Sequence, residues 1–209
     1  MARVNNYAVQ AQQAKDRFLT YDQQALIEKF HLIYDDTYLY THLLGRPYRI
    51  HRATGDMEYE DKGWQDGNSF NEVMTLFDML CDSRNDRWIS GKWQNMLSFG
   101  LQFHQNLQEE RRDPVATAID THPEIFRAAC AAMQAEQIPG GDMGYAIELF
   151  EGLKIGMLFW HGDDEFLPRL RFLWDANAKM YIRYETMWFA IGMLQQRLME
   201  QMKELGYHG

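Results

Sequence analysis

The chain has 209 residues, 46% of them apolar, which is enough to bury a core and too apolar for a disordered chain. Thirty acids against 21 bases leave a net charge of −9, which argues against nonspecific binding to nucleic acid or to an anionic membrane. Met1 to Asp22 is polar, no window approaches a membrane span, and Cys81 and Cys130 match no zinc, iron–sulfur or redox spacing, so the expectation is a cytoplasmic protein with two free thiols.

In chain order, residues 1–30 read as helix, with Asp22 as the N-cap of Gln23 to Phe30. Between Thr37 and Asp61 the period changes to two. Tyr38, Tyr40 and His42 alternate with Leu39, Thr41 and Leu43, and two further strands carry Tyr48 with Ile50 and Met57 with Tyr59. Turns are expected near Gly45-Arg46 and at Ala53 to Asp56. A four-residue second turn sets Arg49 opposite Glu60 and His51 opposite Glu58, opposite charges that explain the polar face without a ligand. Ser69 and Glu72 form a capping box for a helix to Cys81, with Phe70, Val73, Met74, Phe77 and Leu80 on one stripe.

Residues 84–113 resist reading: Trp88, Trp93, Phe99 and Phe103 are apolar anchors, interrupted by Gly91 and Gly100. Thr121 and Glu124 suggest a second capping box, with Pro123 opening a helix to about Gln137. Glu151-Gly152 is a tight-turn candidate between strands Tyr145 to Phe150 and Leu153 to Trp160. A plain two-residue turn puts Leu153, Ile155, Met157 and Phe159 on one face and Tyr145, Ile147 and Trp160 on the other. A last strand comes next over Leu170 to Trp174, and Asp175 or Asn177 caps a final helix to about Leu205. The apolar run Met187 to Leu194 places that helix centrally, with Trp188 buried. The economical fold is a single α+β domain over residues 1–209: an antiparallel meander sheet, N-terminal helices and a long, central C-terminal helix.

Phe159 to Trp188 is the densest stretch in chemistry, with three tryptophans and five acids. Asp163-Asp164-Glu165 lies between two apolar strands. It reads either as a ligand for a cation, with His161 joining, or as a solvated turn whose side chain caps its own backbone. Glu185 beside Tyr181, Tyr184 and Trp188 is expected to be buried and paired with Arg169 or Arg171, either structurally or as a ligand contact. Arg46, Arg49, His51 and Arg52 form the local basic cluster, suited to carboxylates or phosphates but offset by Glu58 and Glu60. No helical metal pair, P-loop, dinucleotide fingerprint or serine-nucleophile motif is present.

Leu44-Gly45-Arg46-Pro47-Tyr48-Arg49-Ile50, the block Phe159 to Phe166, and Trp174-Asp175-Ala176-Asn177 with Tyr184 to Trp188 resemble an uncharacterised prokaryotic family, domain of unknown function 3786, over residues 15–200. The resemblance implies no established activity. Longer members carry a four-cysteine iron–sulfur module like those beside corrinoid proteins, which points to anaerobic cofactor biology. With two cysteines this chain cannot supply that module.

The leading expectation is a non-catalytic protein binding a small molecule or cofactor of unknown identity, a tetrapyrrole being suggested by the family association. Trp160, Trp174 and Trp188 would wall the pocket, with Asp163, Asp164, Glu165, Glu185 and Arg49 as polar contacts. The alternatives are a metal-assisted or acid–base enzyme using Asp163 to Glu165 and His161, and a homodimeric interaction subunit.

Overall fold

The computed structural model describes residues 6–99 and 113–209, so Gly100, Phe103 and His104 lie outside the described residues. The fold is α+β, built on two antiparallel sheets with a long C-terminal helix. The strands expected in one meander divide between these sheets, and the chain divides into two compact units, Met1–Trp88 with Lys179–Ala190 and Ile89–Ala178 with Ile191–Gly209.

The first unit opens with α1 (Asn6–Leu19) and α2 (Gln23–Phe30). Asp22 does cap α2, accepting from the amides of Gln24 and Ala25 at 3.0 and 3.3 Å. Five strands come next in sequential order: β1 (Ile33–Tyr34), β2 (Tyr38–Leu43), β3 (Arg46–His51), β4 (Met57–Glu60) and β5 (Trp64–Asp66). Leu39, Leu43, Tyr48, Ile50 and Met57 form the buried face. The second turn begins one residue earlier than expected, because the His51 amide bonds the Asp56 carbonyl at 2.8 Å. The register therefore moves by two: Arg49 faces Glu58, and Ile50 faces Met57. At that turn Gly55 has φ +72°, and an added Cβ would lie 3.2 Å from the Cβ of Lys15. A side chain there would be strained twice, by dihedral and by contact.

Helix α3 (Phe70–Asp82) starts at the expected capping box, and Glu72 also accepts from the buried Tyr48 hydroxyl at 2.6 Å. Phe18 of α1 stacks on Phe77 of α3 with ring centres 4.7 Å apart. Asp78 has its side chain fully buried, and its carboxylate accepts from the Arg183 amide at 2.8 Å and from Arg183 Nε at 2.5 Å.

The second unit carries β6 (Trp93–Asn95), α4 (Pro114–Thr121), α5 (Pro123–Ala132), β7 (Glu136–Gln137), β8 (Met143–Phe150), β9 (Leu153–Trp160) and β10 (Arg169–Asp175), with sheet order β6-β10-β9-β8-β7. The second capping box does not form. Thr121 ends α4, and its hydroxyl donates back to the carbonyls of Thr117 and Ala118 at 3.0 and 3.1 Å. Helix α5 consequently has no side-chain N-cap, and it ends at Ala132, short of the expected Gln137.

The β8–β9 hairpin turns at Glu151-Gly152, both left-handed at φ 52° and 78°, the dihedrals of a tight primed turn. Its faces differ from the simple alternation, because a bulge between Glu148 and Phe150 shifts the register. Tyr145 and Ile147 thereby join Met157, Ile155 and Phe159 on one buried face, and Glu148 falls opposite Lys154 on the other. Phe126 of α5 packs edge-on against Tyr145 at 5.5 Å on the buried face.

The last helix, α6 (Tyr184–Glu204), begins later than expected and is not capped by Asp175 or Asn177. Its residues up to Ala190 belong to the first unit, and the rest to the second. It buries a stripe of Met187, Ala190, Ile191, Leu194, Leu198 and Met202 rather than its whole circumference. Trp188, expected in the core, is half-buried on the flank of that stripe.

Candidate functional site

Strand register settles the placement of two tryptophans. On β10 Trp174 pairs with Ile155, and on β9 Trp160 pairs with Arg169. Directly paired residues share a face and neighbours alternate, so Trp174 lies with Phe172, Leu170, Met157 and Phe159, and Trp160 points to the opposite side. These two cannot wall one pocket. Trp174 is fully buried, and its Nε1 has no hydrogen-bond partner among the described residues. Trp160 is half-buried beneath Arg171, whose Cζ is 5.5 Å from the ring centre.

Asp163, Asp164 and Glu165 are exposed. The Asp163 carboxylate accepts from the amides of Glu165 and Phe166 at 2.8 and 2.7 Å, the self-capped turn that was the plainer of the two expectations. Among the described residues no group of three or more His, Cys, Asp or Glu is placed to hold a metal ion. Phe166 and Leu167, next in the same turn, are exposed at 68% and 57%.

Glu185 corrects an expectation. It is exposed, and no ion pair to it occurs among the described residues. The cause is position: it sits in the first turn of α6, where the neighbouring Thr186 and Met187 take the buried side. A carboxylate there faces water and gains modestly from the helix dipole. Arg169 is exposed, and Arg171 lies over Trp160. Glu185→Gln is expected to change stability by less than about 0.5 kcal/mol in urea titration, as for other exposed surface changes.

Asp175 is a structural carboxylate. It is 5% exposed and accepts from the Ser90 amide and hydroxyl, the Gly91 amide and the Asn177 amide at 2.7 to 3.1 Å. Burial pushes its pKa up, but these donors outweigh burial and hold it below the usual carboxylate value. A folded pKa below the unfolded one gives stability that is present above the ordinary carboxylate range and is lost as pH falls through the folded pKa. Asp175→Asn is therefore expected to cost ~2–3 kcal/mol at neutral pH, the scale of hydrogen bonds to a charged group. The difference from wild type should shrink in denaturant titrations below about pH 4.

Three basic residues of the Arg46 to Arg52 cluster separate by strand alternation and loop position. Arg46 turns to the buried side over Tyr59, with Cζ 4.2 Å from the ring centre. Arg52 lies in the loop, donating to the Gln23 side chain and the Asp35 carbonyl. Arg49 stays on the open face of the first sheet. There its Cζ lies 4.2 Å from the Tyr38 ring centre and 4.3 Å from that of Trp64, while Nε donates to Glu58 at 2.6 Å. Tyr40 stands 6.4 Å from Trp64 and donates its hydroxyl to Asp35 at 2.7 Å. None of Ile33, Tyr38, Tyr40, His42, Arg49, His51, Glu58, Glu60, Trp64 and Asp66 is buried. Tyr38 and Tyr40 were visible as alternating positions, whereas Trp64 was not placed because β5 is three residues long, too short to show a period.

A second pairing is also new. His161 Nδ1 donates to Asp120 Oδ1 at 2.7 Å, and the His161 amide donates to Asp142 Oδ2 at 2.7 Å. Asp120 lies in the last turn of α4, 41 residues away, and no local pattern signals the contact.

These features define an α+β protein of two antiparallel sheets, one of them with an open aromatic face. The family model described as Domain of unknown function (DUF3786) matches residues 22–197, and the chain belongs to that family. No curated protein and no solved structure matches the chain. Among the described residues no helix is long and apolar enough to cross a membrane.

Proposed function

We propose that this chain is a non-catalytic cytoplasmic binding protein and that it recognises its ligand with the open face of the first sheet. One observation carries the reading: Tyr38, Tyr40 and Trp64 surround Arg49 on a sheet face where no side chain is buried. Antiparallel sheets tolerate one solvated face, but that face is ordinarily polar. Large rings held in place by strand pairing and by an arginine lose little freedom on binding, which favours affinity. The thiols offer no competing chemistry, since burial pushes Cys81 and Cys130 up to about 12.

Hydroxyl-radical footprinting tests this. The protein alone and the protein in extract of its source cells would be oxidised in parallel. Protection is expected at Tyr38, Tyr40 and Trp64. Unchanged oxidation there, or protection confined to Phe166 and Leu167, would overturn the reading.

The acid–base alternative is favoured by a different observation, the Asp120–His161 pair. The carboxylate can only accept, so it holds the proton on Nδ1 and leaves Nε2 as the imidazole's free position. The acids of the Asp163 turn do not join it in a metal-binding group among the described residues. A His161→Gln variant that abolished a reaction found for this protein, with the footprint on the first sheet unchanged, would favour this alternative.

A further inference from the structure

We infer that the open face of the first sheet docks an extended, arginine- or lysine-bearing segment of a partner protein, an inference that rests on the binding reading above. The face already shows how it treats a cation. The Arg49 guanidinium is clamped between the rings of Tyr38 and Trp64 and bonded to Glu58. Aromatic faces attract cations through the ring quadrupole, and a carboxylate at the rim supplies the counter-charge.

The acids exceed what Arg49 neutralises. In the β4–β5 register Glu58 stands directly opposite Asp66, and Glu60 opposite Trp64. Glu58, Glu60 and Asp66 therefore share the face that holds Arg49. Like charges facing each other across strands are unfavourable, and only Glu58 is paired with Arg49. The other cations nearby are committed elsewhere or off the strands. Arg46 is on the buried side near Asp61, Arg52 bonds Gln23 and Asp35, and Lys62 lies in the β4–β5 turn. His42 and His51 share the face.

Beside the acids lie Tyr40, Tyr38 and the exposed Ile33, which pairs with Tyr40 on β1. Such a surface suits the long apolar stems of lysine and arginine, whose heads would reach Glu60 and the Oδ2 of Asp66, the Oδ1 of which accepts from the amide and the side chain of Asn68 at 3.2 and 2.6 Å. Charge complementarity selects a basic partner for a protein of net charge −9. A strand-crossing row of rings and carboxylates suits several cations in series along an extended segment.

The probe is an acetylated, amidated peptide of alternating glycine and arginine, with a citrulline peptide of the same length as its neutral isostere. Both are titrated into the full chain and followed by amide and indole NMR shifts. The arginine peptide is expected to move the Trp64 indole and the amides of 38–42, 48–51 and 58–66, and the citrulline peptide to leave them in place. The double variant Glu60→Gln/Asp66→Asn, changed at two exposed positions, should bind about tenfold or more weakly while keeping the wild-type shifts elsewhere. Equal shifts from the citrulline peptide, an unaffected double variant, or shifts only on other elements would overturn the inference. So would spermidine competing as tightly as the peptide, which would mark a site for small cations, or a dimer formed through this face. If the footprint at Tyr38, Tyr40 and Trp64 persists while the peptide fails, only the cationic segment is wrong. If the footprint itself is missing, the binding reading falls with it.

Discussion

Replacing Trp174 by alanine is expected to destabilise the protein by ~3–5 kcal/mol, the range for removing a large, fully buried aromatic. Trp174 has no exposed surface and lies opposite Ile155, in the same layer as Phe172, Met157 and Phe159. A cavity of that size inside a sheet core cannot collapse without disturbing paired strands. Phenylalanine gives a sharper result. Trp174 Nε1 has no partner among the described residues, and a buried donor without an acceptor costs about 1–3 kcal/mol. Trp174→Phe loses part of the ring but also the stranded donor, so its cost should be clearly below that of alanine. Urea midpoints of the two variants decide the matter. Equal losses would overturn this account of the site.

Local signals were legible wherever one residue caps or turns the chain next to it. Asp22 before α2, Ser69 with Glu72 before α3, and Glu151-Gly152 between β8 and β9 each combine a residue type with an offset of a few positions, and all three are realised. The failures share another cause. The bulge between Glu148 and Phe150 adds one unpaired position, which reverses every side chain upstream of it and leaves no mark in the composition. In the first sheet the turn after His51 starts one residue early, which changes the partner of Arg49 from Glu60 to Glu58 without changing its face. Thr121 has the spacing of a cap to Pro123 and Glu124, but it is the last residue of the helix before them.

The candidate site was harder still. The Phe159 to Trp188 stretch is the densest in chemistry, yet its Asp163 caps a turn, its tryptophans Trp160 and Trp174 face apart, and Glu185 is in water. The face that survives is made from residues read as strand alternation, plus Trp64 on a strand too short to recognise. Contacts such as Asp120 with His161 join positions 41 residues apart and are set by the fold alone.

Asp78→Ala is expected to cost ~2–4 kcal/mol, and the source of that loss is the start of α6 rather than an ion pair. The Asp78 side chain is fully buried on α3, and it accepts from the Arg183 amide just before α6, from Arg183 Nε and from the Thr186 hydroxyl. In effect a carboxylate 105 residues upstream serves as the helix cap that the sequence assigns to Asp175 or Asn177. The arginine itself has a side chain 53% exposed, so its charge can return to water when the partner is removed. That keeps the loss short of the upper end of the ~3–5 kcal/mol seen when a buried charge is left stranded. Burial, working against the donors of Arg183 and Thr186, raises the Asp78 pKa above its usual value. A raised folded pKa means that the native state holds the proton more tightly, so this group's contribution is full below the ordinary carboxylate range and is lost as pH rises through the folded pKa. Asp78→Asn keeps an acceptor for the amide and carries no charge to desolvate. It should be milder than alanine and should flatten the stability profile on the alkaline side of that range. Arg183→Ala, which leaves the backbone N–H in place, should cost only about 1 kcal/mol. Denaturant titrations of the three variants across pH give the order. An Arg183→Ala loss as large as that of Asp78→Ala would show that the guanidinium, not the helix cap, carries the energy.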